Sequence, residues 1–471
     1  MRRRPIQGVA TNDFRFAKTM DKYFTVKAMD WRQVVAIIIP LLVDQAFVIG
    51  LSLLNTAMIS SSGVAAVSAV NMVDSLNMFL INVFIAVATG GTVIVAQYKG
   101  VDNMNMVSRS ATQAVSSVFM LAVGLGGLLA IFHTPVLKLL FGGAEAAVME
   151  NASIYMVGSC LSYPGVAIVQ AAMGDLRGVG DTKASLAMSL VMNLSYVVLN
   201  LILVTFMGMG VTGFVISMNV SRYAAAICSI FYLSHHNHNI HFRLRDAVHL
   251  DFKIQKRMLT VGVPFAAEQM FFNGGKILTQ TFMVQMGTLA LTTNAISASI
   301  TMLLQIAANA LNLAVVTVVG QCMGRRDVED ARRITKSFIV LSMLTFVVSA
   351  AVVLPLFPLI VQLFAPPAEI VGDIFLITAL CAIADPLLWS FGFIVPSALR
   401  AAGDAKFTSV AALISMWVVR VVLGYVLGIV FKLGIVGVWV AMFIEWGSRG
   451  LVFTLRFRGS KWCKHNLIGE S

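Results

Sequence analysis

The sequence predicts an all-α polytopic membrane protein of about twelve transmembrane helices, built as two parallel six-helix repeats. Three observations carry this prediction. Of 471 residues, 58% are hydrophobic and 12% charged, whereas soluble domains average about 25% charged residues. The apolar residues form long unbroken runs rather than the short in/out alternation of a membrane β-barrel. Short motifs recur in one order at an offset of about 224 residues.

Residues 1–32 are polar and basic. Met1-Arg2-Arg3-Arg4 is not followed by an apolar stretch, so the segment reads as a cytoplasmic leader rather than a cleaved signal. Apolar stretches at 33–58, 67–97, 108–132, 151–173, 185–207 and 211–233 supply six spans of an N-lobe, 33–233. The segment 234–257 is the long polar interruption. It holds five of the seven His, with no acidic or Cys partners at ligand spacing, so it reads as a solvated basic linker and not a metal site. Stretches at 258–284, 289–320, 334–357, 371–397, 407–431 and 434–455 supply six spans of a C-lobe, 258–457, followed by a tail, 458–471.

The loops sort by charge. Lys99, Arg109, Arg177, Lys183, Arg325, Arg326, Arg400 and Lys406 fall on the side of the leader, and the opposite side carries little beyond Lys138 and Lys432. That asymmetry predicts a cell-membrane protein with both termini cytoplasmic, and it accounts for the net charge of +12 without nucleic acid. The five Cys contain no CxxC pair and read as small apolar residues.

The repeats are specific. Pro40-Leu-Leu-Val-Asp44-Gln45 matches Pro264-Phe-Ala-Ala-Glu268-Gln269, and Gln97-Tyr-Lys-Gly100 matches Gln321-Cys-Met-Gly324. Leu176-Arg177-Gly-Val-Gly180-Asp181-Thr-Lys183 matches Leu399-Arg400-Ala-Ala-Gly403-Asp404-Ala-Lys406, Gly63 matches Gly287, and Gly210-Val-Thr-Gly213 matches Gly434-Ile-Val-Gly437. An even number of spans per repeat makes the repeats parallel, an arrangement suited to alternating access around a midplane site.

These motifs, with Ala88-Thr-Gly-Gly-Thr-Val-Ile-Val-Ala-Gln97 closing span two, resemble the multidrug and toxic compound extrusion (MATE) family over about residues 30–455. The resemblance implies a V-shaped central cavity and export of cationic, amphipathic drugs or metabolites in exchange for Na⁺ or H⁺. It implies no cofactor. Besides an acid of span ten, Asp385, at an unusual distance from the following Leu-Arg, one departure matters. Where many members carry an Asp near the end of span one, this chain has Asn55, in Leu54-Asn55-Thr56-Ala57-Met58-Ile59.

Charged groups within spans cost several kcal/mol unless paired or hydrated, so each is a candidate site. Asp44, three helical turns before Asn55 on nearly the same face, is the candidate to replace the missing carboxylate, with Na⁺ at Asp44/Asn55 as one option and a proton as the other. Glu268 is its repeat partner. Lys276 either meets Asp44 or Asp74 across the lobe interface or competes with a cationic substrate for a carboxylate. Asp74 and Asn77 share a face of span two. Asn294, Thr301, Gln305, Asn309 and Asn312 form a polar stripe on span eight that faces a cavity or another helix. Asp385 precedes Pro386 in span ten. Arg222, Arg420 and Glu445 read as interhelical pairs or snorkelling groups.

The function this predicts is a secondary antiporter for organic cations or similar amphipaths, monomeric by default. A lipid-linked oligosaccharide flippase of related fold is the alternative. No Walker motif points to ATP hydrolysis. An enzyme would need a polar catalytic cluster within the spans, but all His except His133 and His465 fall in the linker.

Overall fold

A computed structural model describes residues 18, 20–60, 64–141, 145–237, 239–242, 246–247, 249–465 and 467–469, without the side chains of 52–60, 64, 65, 67 and 141. Most of the leader, parts of the linker and tail, Gly63, and the side chain of Asn55 therefore lie outside the described residues.

The chain folds into helices α1 (Trp31–Ser60), α2 (Val64–Gly100), α3 (Met104–Ile131), α4 (Ala146–Val179), α5 (Thr182–Asn200) and α6 (Gly210–His235) in the first half. The second half contains α7 (Phe252–Gln285), α8 (Thr288–Gly324), α9 (Val328–Phe364), α10 (Ala368–Ala384, continued by Asp385–Trp389 and Ser390–Ala401), α11 (Ala405–Ile414, continued to Val430) and α12 (Gly434–Arg458). Among the described residues, eleven helices are long and apolar enough to cross a membrane. The one long helix that falls short is α7, because Glu268, Gln269, Asn273, Lys276 and Gln280 interrupt its apolar run.

Backbone punctuation follows the duplication. Asp102 and Arg326 both take positive φ, as do Gly180 and Gly403, Gly208 and Lys432, and Gly210 and Gly434. Gly180 ends α4 at φ 89°, and its N–H bonds back to the carbonyls of Leu176 and Arg177. A left-handed cap suits glycine because no Cβ opposes it. Asn103 and Asp327 occupy equivalent N-caps, accepting from the N–H of Met106 and of Asp330. The last turns of α5 and α11 are both π-helical, at Leu201–Phe206 and Val426–Val430.

Within the first half, α2, α3 and α6 pack on α4; within the second, α9, α10 and α12 pack around α8 and one another. In a membrane such packing rests on close van der Waals fit, since lipid is as apolar as the side chains it would replace. The halves meet where α2 packs on α7 and α8, and α1 on α8. That junction lies at the basic face. Gly100 is so close to the Gln321 carbonyl that a Cβ would sit 2.1 Å from it, and at Gly324 a Cβ would sit 2.0 Å from the Gln97 carbonyl.

The same face is strapped by the chain outside the spans. Ahead of α1, Ser337 of α9 donates to the Tyr23 carbonyl, Arg333 donates to that of Thr25, and Lys27 pairs with Asp327 at 2.8 Å. The hydrogen bond from Lys27 holds the Asp327 carboxyl below the usual carboxylate range. After α12, Trp462 is fully buried, stacked on Phe457, and Arg257 donates to the Ile468 carbonyl.

Candidate functional site

Three structures stand out: a reciprocal junction at the basic face, a polar network in the first half and a cavity in the second.

At the junction, each repeat's glutamine reads the other repeat's loop. Gln97 Nε2 donates to the carbonyl of Ala401 at 2.8 Å, and Gln321 Nε2 donates to that of Gly178 at 3.1 Å. Ala401 and Gly178 hold equivalent places in the duplicated Leu-Arg loops. Thr317 adds a bond to the Arg177 carbonyl at 2.9 Å. The duplicated motifs are thus contact surfaces between halves. Sequence spacing marked them as duplicated without showing that they touch.

In the second half, the arginine of the Leu-Arg motif meets the carboxylate of the Pro-x-x-x-acid motif. Arg400 Nη1 lies 3.4 Å from Glu268 Oε2, which also accepts from Ser409 at 3.0 Å. Asp44 is 4% exposed and forms no ion pair with Arg177 among the described residues, and its Oδ1 has no hydrogen-bond partner. The two first candidates from the sequence, Asp44 and Glu268, hold equivalent places in the duplicated motif, and of the two only Glu268 is paired with an arginine.

In the first half, α2 and α4 build a network around Asp74. Tyr155 OH donates to Asp74 Oδ1 at 2.8 Å, and Asn77 Nδ2 donates to the same oxygen at 3.0 Å. Asn77 also donates to Ser159 Oγ at 3.0 Å and accepts from Tyr163 OH at 2.6 Å. Arg222 of α6 reaches Ser162 at 2.5 Å, one turn from Ser159. Asp74 is half-buried, and no hydrogen bond to its Oδ2 is found among the described residues. The sequence put Asp74 and Asn77 on one face but carried no signal for the two tyrosines, which come from α4.

In the second half, a cavity of about 450 Å³ opens among α7, α8, α10, α11 and α12. Four members of the polar stripe, Asn294, Thr301, Gln305 and Asn309, line it. Asn312 does not. Trp389, Trp439 and Trp446 line it from other sides, and Trp439 Nε1 donates to Asn294 Oδ1 at 3.2 Å. Lys276 faces the cavity beside Arg420, not Asp44 or Asp74, and both cations lie over the Phe272 ring, at 5.0 and 5.7 Å. Asp385 does not line the cavity; it is fully buried in the π-helical turn of α10, next to Gln305 of the lining. Sequence reading treated Arg420 as a snorkelling or pairing group because nothing in a linear pattern places it beside Lys276, 144 positions away.

Among the described residues, no group of three or more His, Cys, Asp or Glu is arranged to hold a metal ion.

Comparison with known proteins agrees with this layout. The MatE family profile matches residues 40–204 and again 264–426, the two segments starting at the duplicated prolines. The chain is 25% identical to the uncharacterized transporter YisQ of Bacillus subtilis, covering 96% of this chain and 97% of that protein. It is 23% identical to the probable multidrug resistance protein NorM of Thermotoga maritima, covering 93% and 94%. Among solved structures, it superposes with a TM-score of 0.83 on an outward-facing multidrug resistance MATE transporter of the MOP superfamily, at 20% identity over 92% of this chain and 96% of that one. It superposes at 0.81, with 20% identity over 90% and 94%, on a MOP superfamily transporter from Pyrococcus furiosus described as having a binding pocket of reverse polarity. With twelve long helices in duplicated halves and a family match spanning both, the chain belongs to the MATE family of transporters, multi-pass membrane proteins that are not enzymes.

Proposed function

We propose that the protein is a secondary antiporter that moves small amphipathic molecules out of the cell in exchange for Na⁺ or H⁺. Two lobes, 33–233 and 258–457 joined by 234–257, would alternate access around a central V-shaped space. The observation that carries this reading is the reciprocal junction: Gln97 on the Ala401 carbonyl and Gln321 on the Gly178 carbonyl, with Gly100 and Gly324 packed against opposing backbone. Paired duplicated halves that close at one end leave the opposite end open. Exchanging which end is closed carries a bound molecule across without a continuous pore. The positive-inside rule makes the basic, closed face cytoplasmic, with both termini there and the cell membrane as the site. A monomer suffices, and no cofactor takes part.

We assign coupling to Asp74. It stands in the half that has Asn55 in place of the family's acid. Tyr155 and Asn77 orient one of its oxygens, and the other is left for an ion or a proton. Glu268 acts as a clasp on Arg400, and Asp44 is its repeat counterpart in the first half. The organic-cation substrate expected from the family resemblance finds an acid at Asp74, whereas the cavity of the second half has the opposite sign.

The test is efflux of ethidium and of carboxyfluorescein from proteoliposomes, driven separately by Na⁺ and by pH gradients. One gradient should drive flux, Asp74→Asn should abolish it, and Asp44→Asn should leave it measurable. The reverse order of the two variants would return coupling to Asp44. If neither gradient moves either probe, the antiport reading falls, and flipping of a fluorescent lipid becomes the next assay.

A further inference from the structure

We infer that the cavity of the second half is a binding site for an organic anion with an aromatic body, such as an aromatic sulfonate or carboxylate. The inference rests on the transporter reading for its use in the cell, but not for its binding chemistry.

The argument begins with charge. Two cations, Lys276 and Arg420, line the cavity, and no carboxylate does. Within the membrane interior of this half, Glu268 and Glu445 are committed elsewhere, and Asp385 is set back from the lining in the π-helical turn of α10. Glu268 pairs with Arg400 at 3.4 Å, and Glu445, fully buried, pairs with Arg449 at 3.5 Å. Glu445 also acts on Arg420, but one carboxylate shared by two arginines leaves the group positive. A further cation stands just behind the wall, because the Arg449 guanidinium lies 4.2 Å from the centre of the Phe393 ring that lines the cavity.

The cations also lack hydrogen-bond partners. Arg420 Nε is sealed from solvent without a partner, and its Nη2 reaches only the Met442 sulfur, at 2.9 Å. Among the described residues, Lys276 has no ion-pair or hydrogen-bond partner, and its side chain is exposed to the cavity opening. Charges held in a membrane without partners mark substrate or ion pathways. The faces of Phe272 offset part of this charge but supply no acceptor oxygen. A ligand anion would supply it, with Arg420 offering a planar fork and Lys276 a point charge.

The remaining wall defines the rest of the ligand. Trp389, stacked on Phe393, with Trp439 and Trp446 backs the lining with aromatic rings, while Gln305 and Asn309 offer amide groups that accept or donate. At about 450 Å³ the space is at the lower end of small-molecule sites and admits a body of two or three fused rings. An organic cation of that size would meet two like charges and find no acid on the lining.

Calorimetry on the purified full-length chain in detergent tests this with two probes of one shape and opposite charge, naphthalene sulfonate and naphthyl trimethylammonium. The sulfonate should bind at least about tenfold more tightly. Lys276→Gln and Arg420→Gln should each weaken it by about tenfold while leaving the ammonium unchanged or tighter. Lys276→Arg, which keeps the charge, should keep sulfonate binding, and so separates loss of charge from loss of fold. Preference for the ammonium, equal binding of both probes untouched by the substitutions, or no binding of either would overturn the inference. Because binding is read without a gradient, sulfonate binding with no coupled flux would fell the antiport reading and leave this one standing.

Discussion

The two halves of the molecule share a backbone and differ in the sign of what they enclose. In the first, Asp74 sits among Asn77, Tyr155 and Tyr163, with acid and hydroxyls bonded to one another. In the second, Lys276 and Arg420 face a cavity walled by tryptophan, with no acid on its lining. Where the halves touch, they remain alike: glutamine to carbonyl and glycine to backbone in both directions. The difference teaches where duplication constrains a chain. A pseudo-symmetric junction needs matching surfaces on both sides, so its motifs stay recognisable. The interior of each half answers to its own ligand and is free to diverge.

The largest expected effect comes from breaking the charge balance that the second half alone carries. Arg449→Met would remove the ion-pair partner of the buried Glu445 and leave it only the attraction of Arg420, at a cost of up to about 3–5 kcal/mol. Thermal unfolding in detergent should show a marked drop, and Arg449→Met combined with Glu445→Leu should recover most of it. An unchanged melting temperature for the single variant would remove the ion pair from the account of this half.

Next comes the shared junction. Gly100→Ala and Gly324→Ala each thrust a methyl into an opposing carbonyl, with about 1–3 kcal/mol expected against the closed state. Cys322, 1% exposed at the junction, is the natural reporter. With Cys228 and Cys463 replaced by Ser, its maleimide labelling should rise to a similar extent in both variants. A response to one and not the other would show the junction to be asymmetric.

Gln97→Ala and Gln321→Ala remove single interhalf hydrogen bonds, worth about 1 kcal/mol each. The same labelling should rise modestly in each, and the two effects should match.

The smallest effect concerns the caps. Asp327→Asn makes the second half's cap equivalent to Asn103, keeping an acceptor for the Asp330 N–H and losing the Lys27 ion pair. Asp327 is held below its ordinary pKa in the folded chain, so its contribution is present above the unfolded carboxylate range and is lost as pH falls through the folded value. The variant should melt nearly as the parent does at neutral pH and lose less stability on acidification below about pH 4. A parallel acid limb in both proteins would assign that limb to other carboxylates.

Much of the fold was legible in the residues. Apolar runs located the long helices to within a few residues, although α7 carries so many polar groups that its place in the duplicated pattern identifies it better than its hydropathy. The polar stripe of α8 was legible because helical period puts Asn294, Thr301, Gln305 and Asn309 on one side, and polar groups in a membrane need water or a partner. The site was less legible. Asp44 and Glu268 stood out as intramembrane acids, yet Arg177 and Arg400 come from the last turns of α4 and α10, far along the chain. Arg420, in the middle of span eleven, reads from the sequence as an interhelical pair or snorkelling group. The tyrosines around Asp74 carried no mark, since an aromatic residue in a span is ordinary until a neighbouring helix presents a carboxylate to it.

The sequence by itself therefore determined the class, the duplication and the family. Those properties follow from local composition and from periodicity along one dimension, which the bilayer and the repeat make nearly sufficient. Only the tertiary structure decided which duplicated motifs touch, which acids are clasped by arginine and which cations are left facing a cavity. Each of those is a pairing between residues on different helices, set by how ridges and small residues let the helices approach, and no spacing within a single helix encodes it.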